Sequence, residues 1–313
     1  MVQWSMRDLV APGYSIESTW GTDPVTARLP FLGDVQKITL GRDKQARERR
    51  AIGSGADPRG FTTSWQKNSL SMEMDLLDDN PSNSLVALAL GSAPDPSTGV
   101  ITVYPDATHP NLRSATIDWG TVAGGISEYW TCKGAMLEEL VLNAEDEMVS
   151  MQLKWVVKTV VRSTTRAATA PTTPTTTDIF HSFRDVYLSV DGYSTGDILK
   201  SKLSVANKLN ASPALNKGNT LSRCRLAGRK VDFEASILRN SEDDSLTDKW
   251  EADAETAALD VKFQKNSDAE YIHIQLANAR LMNPHEYNAS QSDEEMAENW
   301  KWQAKTVSAD VKA

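Results

Sequence analysis

The sequence of 313 residues is poor in the side chains that carry most catalytic and metal chemistry. It has two cysteines, Cys132 and Cys224, which can form at most one disulfide bond, and we expect both to be free thiols in a reducing compartment. None of its four histidines has a cysteine or a carboxylate at zinc-ligand spacing. We therefore predict no metal site and no cofactor.

Long hydrophobic runs and catalytic motifs are also missing. No stretch approaches the ~18 consecutive apolar residues of a membrane span, so no membrane insertion is predicted. Arg7 and Asp8 interrupt the first ten residues, which therefore do not resemble a secretory signal. The glycine-rich segment 53–60 lacks the Gly-Lys-Ser/Thr ending of a phosphate loop. We expect a protein that is assembled in the cytoplasm and is not an enzyme.

The charge balance argues against a broad nucleic-acid surface. The net charge is -9, and an acidic surface repels phosphates over most of its area. Hydrophobic residues make up 40% of the chain, enough for a folded protein with buried cores.

An internal repeat is the strongest positive signal. Lys154–Val160 (KWVVKTV) returns as Lys301–Val307 (KWQAKTV), an offset of 147 residues. Lys37–Leu40 corresponds to Lys202–Val205 at an offset of 165, and the strands that follow align at 161. A repeated unit predicts a repeated domain. The falling offset indicates extra residues in the first copy, which we assign to about 91–111.

Alternation of apolar and polar residues predicts strands that have one buried face. The alternating segment near residue 70 buries Leu70, Met72, Met74 and Leu76, and its counterpart buries Val231, Phe233, Ala235 and Ile237. The polar residues of these two strands are candidates for a solvent-facing wall: Ser71, Glu73, Asp75, Asp232, Glu234 and Ser236. Lys154, Lys158, Lys301 and Lys305 lie on the polar side of the closing strands, and would make that wall mixed in charge if they share it.

The chain therefore divides into two β domains of residues 1–162 and 178–313, joined by a Thr/Pro-rich linker of residues 163–177. Each domain is expected to carry one helix, at Ser82–Leu90 and at Asp243–Leu259. An irregular stretch of about 24 residues is expected after the first strand of each repeat.

The first of these stretches, residues 41–60, is a basic patch on an acidic protein. Its cations are Arg42, Lys44, Arg47, Arg49, Arg50 and Arg59. The patch could be a solvated loop, an arm that docks on an acidic surface of another copy, or a DNA contact. The second stretch, Ala206–Gly228, lacks the dense basic run, which weakens the DNA interpretation.

The order of these features resembles the tail tube proteins of tailed bacteriophages and related viruses, in the version with two tube domains per chain. The resemblance is carried by Gly13–Val25, the basic Arg49–Gly55, the strand Trp130–Met136 and Leu276–Leu281. It implies a mainly β fold of two tandem β-sandwich domains, each with a flanking helix, whose sheets close into a barrel between subunits.

The resemblance also implies a function. Three chains would form a pseudo-hexameric ring, and stacked rings would form a hollow virion tail tube. DNA would cross the lumen without specific binding, and the arm at residues 42–60 would reach the adjoining ring. The implied partners are a tape-measure protein, a tail terminator and baseplate proteins. Contractile and non-contractile tails use related tubes, so the tail type stays open.

Two other classes of function remain. Tandem β-sandwiches can bind carbohydrate or another surface ligand, with Trp4, Trp20, Trp65 or Trp130 as stacking platforms. A hydrolase would need paired carboxylates, but Glu73 and Asp75 have no neighbour in sequence that would perturb them.

Overall fold

The structure of this protein is a computed structural model in which most described residues lie in β-strands. It describes residues 9–24, 27–31, 33–49, 60–76, 85–123, 126–145, 148–171, 186–194, 198–213, 220–238, 248, 251–252, 254–265, 267–282 and 297–312. No helix among these residues is long and apolar enough to cross a membrane.

Sixteen strands and one helix have their bounds within the described residues, and the described residues 248 and 251 are also helical. The strands of the first half are β1 (Leu9–Glu17), β2 (Leu29–Pro30), β3 (Gly33–Arg49), β4 (Gly60–Leu76), β5 (Val100–Ile101), β6 (Ser114–Ala123), β7 (Ile126–Glu145), β8 (Met148–Val157) and β9 (Thr159–Ser163). Those of the second half are β10 (Val186–Val190), β11 (Tyr193–Ser194), β12 (Ile198–Pro213), β13 (Leu221–Leu238), β14 (Glu255–Lys265), β15 (Ser267–Leu281) and β16 (Ala297–Lys312). The helix is α1 (Leu85–Leu90).

All described strands belong to one large antiparallel sheet that includes both halves of the chain. The order across its central part is β3-β4-β8-β7-β12-β13-β16-β15-β14-β10-β11. The sheet of the single chain is open over the described residues, and the barrel predicted to close between subunits remains a prediction. The mainly β prediction is confirmed.

Strand β7 explains how this sheet folds over a core. Its first half pairs with β6 and β9, and its second half pairs with β8 and β12. A strand shared in this way bends one sheet over the other, and the apolar faces of both then meet. The largest buried side chains include Trp155, Trp302 and Phe233, and one continuous cluster of buried residues includes members of both halves.

The first predicted helix is confirmed in part, and the second is confirmed in its middle but wrong at its C-terminal end. Helix α1 covers residues 85–90 of the predicted 82–90 and is fully buried, and residues 82–84 lie outside the described residues. Within the second prediction, residues 248 and 251 are helical, and Ala252 N donates a hydrogen bond to Asp248 O at 2.9 Å. Residues 255–259 of the second predicted helix instead begin strand β14. There Leu259, Val261 and Phe263 are buried in alternation, so the period of two governs this end of the segment.

The two predicted irregular stretches are largely strand, which corrects the loop prediction. Residues 41–49 continue β3 and pair with β4 as far as Gly60, and residues 206–213 continue β12. Charged residues on an exposed strand give no alternation of polarity, so the sequence does not reveal it. Each stretch is therefore the outer part of a long hairpin, called here the first hairpin (β3–β4) and the second hairpin (β12–β13).

The segment read as a linker is partly built into the first half. Residue 163 ends β9, Pro171 is buried, and Thr169 O accepts a hydrogen bond from Arg28 N at 3.3 Å. Arg166 donates two hydrogen bonds to Asp118 Oδ1. Residues 172–177 lie outside the described part of the chain. The position of the boundary between two domains remains a prediction.

Candidate functional site

Polar residues of six neighbouring strands share one side of the central sheet, because directly paired residues project on the same side. One row of paired residues runs from Asp75 through Ser150, Asn143, Lys202 and Glu234 to Lys301. We call this side the polar face. All six predicted wall residues lie on it: Ser71, Glu73, Asp75, Asp232, Glu234 and Ser236.

The polar face is mixed in charge rather than acidic. Lys37 Nζ lies 3.6 Å from Glu73 Oε2, and Lys154 Nζ lies 3.3 Å from Glu138 Oε2. Lys301 hydrogen-bonds Glu234, and this bond raises the pKa of Lys301. Carboxylates therefore engage several lysines of this face.

The four lysines of the closing strands divide into two groups. Lys154 and Lys301 lie on the polar face. Lys305 pairs with Glu255, which a row of pairs through Arg280 and Gln303 connects to Asp232 of the same face. Lys158 instead donates a hydrogen bond to Trp20 O at 3.0 Å and lies over the Trp20 ring. The sequence missed the further polar-face residues Glu139, Lys200 and Lys202, because the pairing of β7 with β12 cannot be read from the sequence.

The structure places the basic patch on the first hairpin. Arg42 is exposed, and its guanidinium lies 5.9 Å from the centre of the Trp130 ring. Lys44, Arg47 and Arg49 belong to β3, but their side chains are not described. Arg50 and Arg59 lie outside the described residues. The docking role of these six cations remains a prediction.

The second hairpin docks on the first half of the same chain. Leu221 and Cys224 pack with Tyr104, Leu112 and Met136 in a small apolar cluster. This contact joins an arm of one half to the surface of the other.

Two polar residues of the second hairpin also close the end of α1. Asn207 Nδ2 donates to Ala89 O at 2.9 Å, and Arg229 donates to Leu90 O at 2.8 Å. Arg229 Nε also donates to Asn207 Oδ1 at 2.9 Å. These bonds satisfy carbonyl groups that a helix C-terminus leaves open. Burial lowers the pKa of Arg229 to about 10.

Strand β7 of the first half pairs directly with strand β12 of the second half. Residues 139–144 of β7 pair with residues 201–206 of β12, so that Leu142 lies opposite Leu203. The other end of this part of the sheet is β3, for which β4 is the one partner among the described strands. The chain thus carries one completed junction between its halves, β7 with β12, and a long strand, β3, that has one described neighbour.

A buried ion network lies under the polar surface of the first half. The side chains of Arg28 and Asp118 have no exposed area, and Arg28 Nε lies 2.7 Å from Asp118 Oδ2. Arg166 approaches the other oxygen of Asp118, and Arg28 also pairs with Asp23 at 3.0 Å. The network ties β1, β6 and the segment after β9 together.

The remaining chemistry-bearing residues are held in local contacts. His273 lies between Asp310 (2.8 Å) and Asp260 (3.0 Å), an arrangement that the sequence did not reveal. His109 stacks on Tyr104, whereas His181 and His285 lie outside the described residues. Among the described residues no group of three potential ligands could hold a metal ion.

The cysteines and tryptophans can be compared with their predictions. Cys132 and Cys224 are free thiols, as predicted. Both are buried, and burial raises their thiol pKa values to about 12 and about 11. The guanidinium groups of Arg42 and Arg162 lie 5.9 Å and 5.6 Å from the centre of the Trp130 ring. Trp4 and the side chain of Trp65 lie outside the described part.

Residues 10–304 match a family model described as "Phage tail tube protein". A comparison with curated proteins found no match.

Proposed function

Because the chain belongs to the phage tail tube protein family and is therefore a component of the virion tail, we propose that its copies form three-chain rings that stack into a hollow tube. Its role is structural rather than catalytic. We further propose that it is assembled in the host cytoplasm around a tape-measure protein, between a terminator and a baseplate. The observation that carries the proposal is the strand junction between β7 and β12.

Register supports the duplication on which this ring depends. Val35 pairs with Met74 and Ile198 with Ile237, so both strands of the two hairpins are related by the same offset, 198 − 35 = 237 − 74 = 163 residues. The offset also holds at the far end, where Arg49 pairs with Gly60 and Ser212 with Arg223. One offset thus replaces the two read from the sequence, which were wrong by two residues in opposite directions.

The junction inside the chain supplies the pattern for a junction between chains. At the offset of 163, the β12 residues 201–206 that pair with β7 correspond to β3 residues 38–43. A strand edge without a partner invites association. We propose that this part of β3 pairs with the second half of another copy. Such a contact joins two different surfaces and therefore repeats around a ring.

The stagger of the strands supports a barrel wide enough for DNA. A row of directly paired residues leads from Glu73 across four strands to Asp232 on β13. The residue of β13 that is equivalent to Glu73 by the repeat offset is Ser236. The strands are therefore staggered by four residues from one repeat to the next. With ~3.3 Å per residue and ~4.8 Å between strands, this stagger corresponds to a tilt of about 35°. Six units, roughly 24 strands, would close a barrel about 45 Å across.

The polar face suits the inner wall of this barrel. Side chains on both sides would leave a lumen of about 33 Å, and a DNA duplex is roughly 20 Å wide. A lysine binds a DNA phosphate by replacing the small counterions around it, and the lysine must be free to do so. Lys37, Lys154 and Lys301 are already engaged by carboxylates, so the wall offers DNA few free cations. DNA would then pass without being held.

The ring proposal is tested by the mass of the smallest assembly. Purified protein is expected to form hollow tubes in negative stain, and mild dissociation is expected to yield rings whose native mass equals three chains. A stable monomer at all protein and salt concentrations, or rings of six chains, would refute the proposed stoichiometry.

A further inference from the structure

We propose that the two kinds of junction in such a ring are unequal, because residues 91–112 clamp the second half of the chain onto the first before any other copy binds. Only the statement about the junction between chains depends on the proposed ring. The clamp itself is a contact within one chain. It consists of the insertion of the first half and the residue that follows it.

The first contact of the clamp is with the end of β16. Val100 pairs with Asp310, and Val311 N donates a hydrogen bond to Gly99 O at 3.0 Å. Gly99 has a φ of +76°, and a Cβ atom there would lie 2.2 Å from Val311 O. A residue with a side chain cannot make this approach without a shift of the backbone. The glycine is therefore part of the contact.

The second contact is with the second hairpin. Asn111 Nδ2 donates to Cys224 O at 2.7 Å, and Leu226 N donates to Asn111 Oδ1 at 2.9 Å. One side-chain amide thus satisfies both a carbonyl and an amide group of β13. Leu112 adds apolar contact in the cluster that also contains Leu221. Loss of Asn111 would leave two partly buried backbone groups without partners.

The described residues of the second half show no counterpart of this clamp. The hairpins are related by 163 residues and the closing strands by 301 − 154 = 147, so the first half holds 163 − 147 = 16 extra residues between them. The junction that β3 makes with another copy would therefore lack the clamp. That junction would depend on strand pairing and on the basic first hairpin, and salt would open it first.

A cut between the halves tests the clamp directly. A specific protease site is placed between Thr177 and Asp178, and the folded full-length chain is cut at a concentration below that of tube formation. The two fragments are expected to elute together at the mass of one chain. With Asn111→Ala and Leu112→Asp combined, the apparent Kd between the fragments is expected to rise at least ~100-fold.

Asn210→Ala is the matched control, because Asn210 is an exposed asparagine on the second hairpin, the one that Asn111 contacts. This variant should leave co-elution unchanged. If the double variant does not fold, Asn111→Asp alone serves, since it retains the acceptor and loses the donor. Separation of the unaltered fragments, or variants that stay together as tightly as wild type, would overturn the clamp. If the fragments remain together but the protein forms no tubes, the ring proposal is overturned and the clamp is not.

Discussion

Replacing Asp118 by alanine is expected to lower the free energy of unfolding by about 3–5 kcal/mol. The carboxylate lies between Arg28 and Arg166, and neither its own side chain nor that of Arg28 is exposed. Removing it leaves the Arg28 guanidinium buried, with Asp23 as its remaining carboxylate partner among the described residues. Urea unfolding of the unassembled chain measures the change.

The control for this prediction is an ion pair on the polar face. Glu234 and Lys301 are also paired, but 43% and 31% of their side-chain areas are exposed. Water screens such a pair, so Glu234→Gln is expected to change the unfolding free energy by less than about 1 kcal/mol. Equal losses in the two variants would show that burial does not distinguish the two pairs, contrary to our account.

Charge reversal of the first hairpin is expected to abolish tubes. Arg47, Arg49 and Arg50 lie at or just beyond the end of β3, in the segment that we propose docks on an acidic surface of another copy. Glutamates at these three positions would repel such a surface, and tube formation followed by light scattering is expected to fall to background. Thermal unfolding of the unassembled chain should be nearly unchanged.

Lysine at the same three positions keeps the charge and is the matched control, expected to assemble as wild type does. If the glutamate variant grows normal tubes, the docking role of the hairpin is wrong. If instead it forms tubes that differ only in DNA retention, the direct DNA contact considered from the sequence gains support.

The sequence predicted the strands that have one buried face, because Leu70 to Leu76 and Val231 to Ile237 alternate with a period of two. It did not predict the outer parts of the hairpins. Residues 42–49 are almost entirely polar, and their pairing with residues 60–68 leaves no pattern in either segment. The second predicted helix extended too far, into β14, because Ala254 and Ala257 lie at helical spacing, whereas Leu259 and Val261 follow the period of two.

The contacts between the halves could not be predicted from one sequence. Asn111, Asn207 and Arg229 look like ordinary polar residues, and their roles depend on backbone groups more than 60 residues away. The ion network of Asp118 is hidden for the same reason. The polar face was partly predicted, since its carboxylates alternate with core residues. Its mixed charge depends on which strands are neighbours, and only the sheet order reveals this.

The central claim is that β3 of one copy pairs with the second half of the next, so that the polar faces of three chains line one lumen. Cryo-electron microscopy of the assembled tubes tests it most directly. We predict a continuous inner barrel of roughly 24 strands, about 45 Å across, with Glu73 and Glu234 facing the lumen. Tubes in which β3 has no neighbour from another copy, or in which the polar face lies outward, would contradict the account.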